Sequence, residues 1–271
     1  MKDNLNRFFE LTLYAKKDFS PYFLTLKDYA KQNFCGKYIL TSGEKNSFGN
    51  DQNTCSFLFA VSIDDKDKFL LQLKQQIIKY ILVNKKSFFL SQNIRSLGSL
   101  GNIKDIFLKI LTMFDEEQDI LEIEKNLRFS SEFYLNEFYL FKLKNLQKKW
   151  LEICTMTNEN SFFFDADGLV FELLRYLISN IKPKDDFLRL DFANDLVLIK
   201  DKTNTTIFTQ NLAEFENDAG KNVALKILDF MPKRIYLGNN FPDSKSTENL
   251  LSIFKNSLKV IDYAWQKFFI C

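Results

Sequence analysis

The chain has 271 residues, a length that fits one large domain or two small ones. Hydrophobic residues make up 46% of it and charged residues 27%, which predicts a packed core and argues against disorder. The formal charge is only +2, so no global field draws the protein to nucleic acid or to anionic lipid. Histidine is absent, which excludes histidine-based catalytic triads and zinc sites with an imidazole ligand.

The cysteines and the N-terminal sequence bear on localisation and cofactors. Cys35, Cys55, Cys154 and Cys271 are far apart and form no C-x-x-C pair, which predicts free thiols and no metal or redox motif. Residues 1–7 lack the apolar stretch of a signal peptide, and no apolar run is long enough to span a membrane. We therefore expect a cytoplasmic protein with no cofactor and no bound metal.

The first 64 residues carry a mixed α+β pattern. Residues 7–15 alternate apolar and polar side chains, which favours a strand over a helix. Ser20 and Pro21 predict the N-cap and the first residue of a helix that ends near Gly36. Residues 37–42 and 55–63 are predicted strands on either side of a polar loop.

The middle of the chain is predicted to be mostly helical. Apolar residues with a spacing of three to four indicate helices over residues 65–84, 103–114, 130–153 and 167–181. The helix over residues 130–153 has the longest apolar stripe, which consists of Leu135, Tyr139, Leu143, Leu146 and Trp150. Pro183 then marks the end of the helical region.

After Pro183 the pattern changes to short strands and alternating elements. Residues 187–192 and 195–200 predict a β-hairpin across Ala193 and Asn194, with a third strand over residues 205–208. A helix over 219–230, a strand over 234–237, a helix over 244–256 and a strand over 258–262 follow. The predicted fold class is α+β: an N-terminal α+β segment 1–64, a helical region 65–182 and a compact C-terminal α/β unit 183–271, or one continuous domain.

Charged residues are grouped into two successive blocks of opposite sign. The basic block contains Lys66, Lys68, Lys74, Lys79, Lys85, Lys86, Arg95, Lys104 and Lys109. The acidic block contains Asp115, Glu116, Glu117, Asp119, Glu122, Glu124, Glu132 and Glu137. The two blocks can offset each other in the folded protein, so we interpret them as solvated helix faces. A nucleic-acid-binding module that uses Lys66 to Lys109 is the alternative.

Two groups of carboxylates are candidates for a metal site. Asp165 and Asp167 begin like a calcium loop, but the other ligand positions of an EF-hand are missing, so Asp167 is interpreted as a helix N-cap. Asp185, Asp186, Asp191 and Asp195 surround the predicted hairpin, where they are interpreted mainly as turn residues. A metal-dependent enzyme built on such a carboxylate cluster is the third-ranked function, and no catalytic residue is assigned.

The loop Gly238, Asn239 and Asn240 is the candidate contact site. It follows a predicted buried strand and precedes a helix, and open α/β sheets bind ligands at such strand ends. Gly238 would allow a partner to approach the backbone closely. A simple turn, shaped by Gly238 and the two asparagines, is the competing interpretation.

Five stretches of the sequence resemble the YtxC-like family of sporulation proteins from endospore-forming bacteria. They are Phe69–Ile81 (FLLQLKQQIIKYI), Phe138–Lys144, Gly168–Leu177, Val223–Asn239 (VALKILDFMPKRIYLGN) and Ser246–Phe254. The chain departs from the family where Gly238 and Asn239 stand in place of a His-Asn pair. The resemblance implies a cytosolic protein linked to spore formation, with no agreed activity or cofactor.

Together these features predict an interaction or accessory protein of sporulation, without enzymatic activity. We expect a protein partner, rank nucleic acid well below it, and expect no membrane span. The sequence gives no oligomeric state.

Overall fold

The computed structural model describes residues 8–44, 54–161, 169–193, 196–211, 219–238 and 252–260. Its contacts divide the chain into two units, one formed by residues 1–89 and 116–152 and the other by residues 90–115 and 153–271. Each unit contains one sheet of mixed parallel and antiparallel strands together with helices, which confirms the predicted α+β class. The predicted three-segment division stays a prediction.

The described elements follow the predicted order along most of the chain. The strands are β1 Phe8–Lys16, β2 Tyr38–Glu44, β3 Thr54–Ser62, β4 Glu132–Tyr134, β5 Asp185–Ala193, β6 Leu196–Lys200, β7 Thr206–Asn211, β8 Pro232–Leu237 and β9 Leu258–Val260. The helices are α1 Ser20–Asn33, α2 Lys66–Tyr80, α3 Ser87–Asn93, α4 Lys104–Met113, α5 Glu116–Asn126, α6 Leu135–Glu137, α7 Lys144–Glu159, α8 Leu169–Ser179 and α9 Ala219–Phe230. Two π-helical segments, Ile81–Lys86 and Phe138–Lys142, lie between α2 and α3 and between α6 and α7.

Sheet A, in the first unit, has the strand order β2-β3-β1-β4. β3 runs antiparallel to β1 and to β2, and β4 runs parallel to β1. The inner side of β1 and β3 is buried and consists of Leu11, Leu13, Ala15, Phe57, Phe59 and Val61. The helices α1 and α2 pack on this side, since the ring centroids of Phe23 and Phe57, and those of Phe59 and Phe69, are 5.0 Å apart.

The start of α1 differs in detail from the prediction. A short 3-10 turn, Lys17–Phe19, precedes the helix, so Ser20 is its first residue and Phe19 occupies the cap position. Pro21 lies in the first turn, as predicted, where its missing N–H costs no hydrogen bond.

The continuous helix predicted over residues 130–153 is wrong. The segment begins with β4, continues through α6 and the second π-helical segment, and becomes regular helix only at Lys144. Leu143 leaves the helical conformation, with φ −106° and ψ 23°. Most of the predicted stripe is nevertheless buried, namely Leu135, Leu143, Leu146 and Trp150. Most apolar residues of the predicted stripe are therefore buried even though the helix is interrupted between them.

Sheet B, in the second unit, has the strand order β7-β6-β5-β8-β9. The predicted hairpin is confirmed, because β5 and β6 pair antiparallel with Ala193 opposite Leu196. β8 runs parallel to both β5 and β9. The buried side of this sheet consists of Leu188, Leu190, Val197, Ile199, Ile235 and Leu237. Most of the predicted helix 244–256 lies outside the described residues.

No helix among the described residues has the length and apolar character needed to cross a membrane.

Candidate functional site

Gly238 is packed against the neighbouring strand. Its N–H donates to the carbonyl oxygen of Leu190 at 2.9 Å, and a Cβ at this position would lie 3.0 Å from Oδ1 of Asp191. The close approach to β5 thus gives a structural reason for glycine. Asn239 and Asn240 lie outside the described residues, so the contact role of the 238–240 loop stays a prediction.

The basic block contributes to both units and is partly neutralised. Lys74 pairs with Glu124 at 3.1 Å, and Lys109 pairs with Asp229. Lys86 is fully buried, so the interpretation of the block as solvated helix faces is wrong at this position. Lys74, Lys86 and Lys109 therefore already have anionic partners, which reduces the basic surface that the block can offer.

The carboxylates around the hairpin form no cation site in the part of the chain that is described. Asp191 is bound by two cations, with Nε of Arg189 at 2.7 Å and Nζ of Lys200 at 2.9 Å. Across the described residues no group of three or more His, Cys, Asp or Glu side chains could hold a metal ion. Asp195, like Asp165 and Asp167, lies outside the described residues.

A buried polar network lies beside the first π-helical segment. Nζ of Lys86 donates to Oδ2 of Asp119 at 2.6 Å, and Nε1 of Trp150 donates to the same oxygen at 3.1 Å. Asp119 comes from α5, the acidic helix that the sequence reading did not predict. π-Helical turns are common at functional sites, but here the groups satisfy one another, which favours a structural role.

Lys85 lies in a second polar cluster on the same π-helical segment. Its Nζ is 5.1 Å from the ring centroid of Tyr80 and 5.9 Å from that of Tyr139. Burial is the main cause of the lowered pKa of Lys85; Asp18 opposes it, and Lys16 makes a smaller contribution in the same direction as burial. Tyr80 donates to Oδ1 of Asp18 at 2.7 Å, and its pKa is raised, mainly by burial. The phenol and the carboxylate are thus already paired with each other.

The outer face of sheet A carries exposed apolar side chains among polar ones. We define it by Glu10, Thr12, Tyr14, Ile39, Thr41, Leu58, Glu132 and Tyr134, which strand pairing places on the side opposite the core. Ile39 is 55% exposed and Leu58 41%, although both belong to strands whose other side is buried. Leu58 lies between Thr41 on β2 and Thr12 on β1.

A pair of stacked tyrosines forms one end of this outer face. Tyr14 and Tyr134 are directly opposite each other on β1 and β4, with ring centroids 4.5 Å apart and planes inclined by 20°. The Tyr134 hydroxyl donates to Oε2 of Glu132 at 3.1 Å, and this hydrogen bond raises the pKa of Tyr134. Glu137 also lies close enough to raise that pKa. The arrangement can hold a cation above aromatic rings and beside carboxylates.

Sequence reasoning missed this surface for a specific reason. The outer tyrosine pair depends on β4, which lies inside the segment predicted as helix. In β3 all residues from Phe57 to Val61 are apolar. An uninterrupted apolar run does not indicate which side of the strand is buried and which is exposed.

Comparisons with family models, with curated proteins and with solved structures found no match to this chain.

Proposed function

We propose that this chain is a non-enzymatic interaction protein that binds a partner protein on the outer face of sheet A. The observation that carries the proposal is the exposure of Ile39 and Leu58 on the same sheet face as the stacked pair Tyr14 and Tyr134. Exposed apolar and aromatic side chains that are grouped together and rimmed by polar residues are typical of interaction sites. The cytoplasmic setting and the role in sporulation rest on the sequence resemblance to the YtxC-like family.

The chemistry of the face favours a partner segment with both cationic and apolar side chains. Glu132 is exposed at the β4 end of the row that contains Leu58, and Glu10 is exposed on β1 in the neighbouring row. Glu137 lies near Tyr134. A lysine or arginine of the partner can lie on the tyrosine rings while its charge faces Glu132. An aliphatic side chain of the same segment can cover Leu58 and Ile39. The same carboxylates repel phosphate groups, so nucleic acid does not fit this face.

A complementation experiment tests the surface and the biological setting separately. A strain that lacks the gene is expected to form fewer spores, and normal spore yield would contradict the sporulation role. Leu58→Lys, which introduces a positive charge that repels a cationic partner segment, is expected to fail to restore spore yield. Leu121→Lys is the matched control, because Leu121 is also an exposed leucine and lies on α5 of the same unit. Equal complementation by two equally abundant variants would contradict the proposed surface.

A further inference from the structure

The outer face of sheet B combines cations with aromatic rings. We define it by Phe187, Arg189, Asp191, Leu198, Lys200, Arg234 and Tyr236, which strand pairing places on the side opposite the buried core of the second unit. The inner side is mainly aliphatic among the central strands, with Phe192 opposite Val197, whereas the outer side carries three cations, two rings and one central carboxylate. The chemistry of this face therefore differs from that of the acidic, tyrosine-lined face of sheet A.

Two of the cations lie directly opposite each other on neighbouring strands. Arg189 on β5 pairs with Lys200 on β6, an arrangement in which like charges destabilise a sheet. Asp191 offsets the repulsion by binding both, through Oδ1 at 2.7 Å from Nε of Arg189 and through Oδ2 at 2.9 Å from Nζ of Lys200. The ion pair uses Nε of Arg189, and among the described residues the two terminal nitrogens of its guanidinium are left for a second anion.

The rings and cations alternate across β5 and β8. Phe187 lies opposite Arg234, and Arg189 lies opposite Tyr236. The two rings are in edge-to-face contact, with centroids 5.3 Å apart and planes inclined by 73°. Arg234 is exposed, and both rings are partly exposed. This sheet face thus offers phosphate-binding groups and stacking groups within one pair of strands.

We propose that the outer face of sheet B binds single-stranded nucleic acid. Arg189, Lys200 and Arg234 would contact phosphates, while Phe187 and Tyr236 would stack on bases, the combination that single-strand-binding surfaces use. An acidic peptide would use the cations but would leave the rings without a matching partner. The inference concerns a different sheet from the proposed protein-binding face and does not depend on it.

The test is the binding of a fluorescein-labelled oligothymidylate of about 20 nucleotides to the full chain, followed by fluorescence anisotropy at several salt concentrations. The three cations less the carboxylate of Asp191 correspond to two neutralised phosphates, which predict a slope of log affinity against log salt of about −1.4. Arg234→Ala is expected to reduce that slope by about 0.7, and Arg234→Lys to keep it. Tyr236→Ala is expected to weaken binding by about fivefold or more through lost stacking. A matching oligouridylate distinguishes RNA from DNA.

Lys104→Ala is the charge-matched control, because Lys104 is an exposed cation of the second unit on α4. It should change affinity by less than about twofold, since it removes one charge away from the face. Equal weakening by Lys104→Ala and Arg234→Ala would overturn the proposal. The same holds if the oligonucleotide fails to bind at low salt, or if polyglutamate of equal length competes as well as unlabelled oligonucleotide. Circular dichroism confirms that each variant is folded.

Discussion

Lys86 and Asp119 form a buried ion pair in the first unit, with Nζ and Oδ2 separated by 2.6 Å and side chains that are 0% and 3% exposed. Trp150 donates to the same carboxylate oxygen. The pair joins the π-helical segment after α2 to the acidic helix α5, and Lys74 and Glu124 join α2 to α5 a second time. The basic and acidic blocks of the sequence thus meet inside one unit.

Removal of one partner of this pair should destabilise the protein strongly. Lys86→Met leaves the Asp119 carboxylate buried without its cation, which should lower the free energy of unfolding by about 3–5 kcal/mol. The double variant Lys86→Met with Asp119→Asn removes both charges and keeps an acceptor for Trp150. It should be more stable than Lys86→Met alone. Urea unfolding followed by circular dichroism measures the difference, and strictly additive losses would contradict a coupled pair.

Gly36 is required by the close approach of two backbone segments. A Cβ at this position would lie 2.5 Å from Cβ of Ser62, and the N–H of Gly36 donates to the buried Asp65 at 3.0 Å. Gly36→Ala should therefore lower stability by about 1–3 kcal/mol through overpacking. Gly98→Ala is the control, because nothing lies within 4 Å of the added Cβ. Thermal unfolding should show a lower midpoint for Gly36→Ala only, and equal midpoints would refute the steric explanation.

The ion pairs of Asp191 should make stability depend on pH. Burial alone would raise the pKa of this carboxyl, but the hydrogen bonds from Lys200 and Arg189 outweigh burial and hold the pKa below its usual value. A carboxyl with a depressed pKa in the folded state contributes stability above the unfolded-state pKa of about 4 and loses it as the pH falls further.

The difference in unfolding free energy between wild type and Asp191→Asn should accordingly be largest near neutral pH. It should shrink as the pH falls from about 4 toward the lower pKa of the folded state. Urea unfolding of both proteins across this range measures it. A difference that stays constant down to the lowest pH would show that the ion pairs contribute nothing through ionisation.

The cysteines should differ in reactivity. Cys35 is exposed, whereas Cys55 and Cys154 are buried. Burial also raises the pKa of Cys154 to about 11, which leaves little thiolate at neutral pH. Mass spectrometry after brief treatment with iodoacetamide should therefore find Cys35 modified well before the two buried cysteines. Early labelling of Cys154 in the native protein would contradict the burial.

Much of the architecture follows from the sequence wherever the apolar residues of an element have a clear period. The two-residue alternation of β1 and the short runs on either side of Ala193 gave strands and a hairpin that the structure confirms. The prediction of a continuous helix over residues 130–153 was wrong because four-residue spacing of apolar side chains does not show whether the helix is interrupted between them. For the same reason β4 and the tyrosine pair were not predicted.

The candidate surfaces depend on long-range pairing, which a period does not specify. Lys86 was predicted to belong to an exposed basic block, but it is buried beside α5. The acidic sequence of α5 does not indicate that the side chain of Asp119 is buried. Arg189, Lys200 and Tyr236 are separated by many residues and become neighbours only through the pairing of β5 with β6 and β8. Leu58 has no local signal that distinguishes it from its buried neighbours Phe57 and Phe59.

The most direct test of the interaction surface is a titration of the isotope-labelled full chain with a peptide of alternating arginine and leucine, followed by nuclear magnetic resonance. We expect shifts of Tyr14, Leu58 and Tyr134 and their loss in Leu58→Lys, with the Leu121→Lys control unaffected. Leu58→Lys itself should change stability by about 0.5 kcal/mol or less, because the residue is exposed. Shifts scattered over both units, or binding that Leu58→Lys leaves intact, would contradict a partner site on the outer face of sheet A.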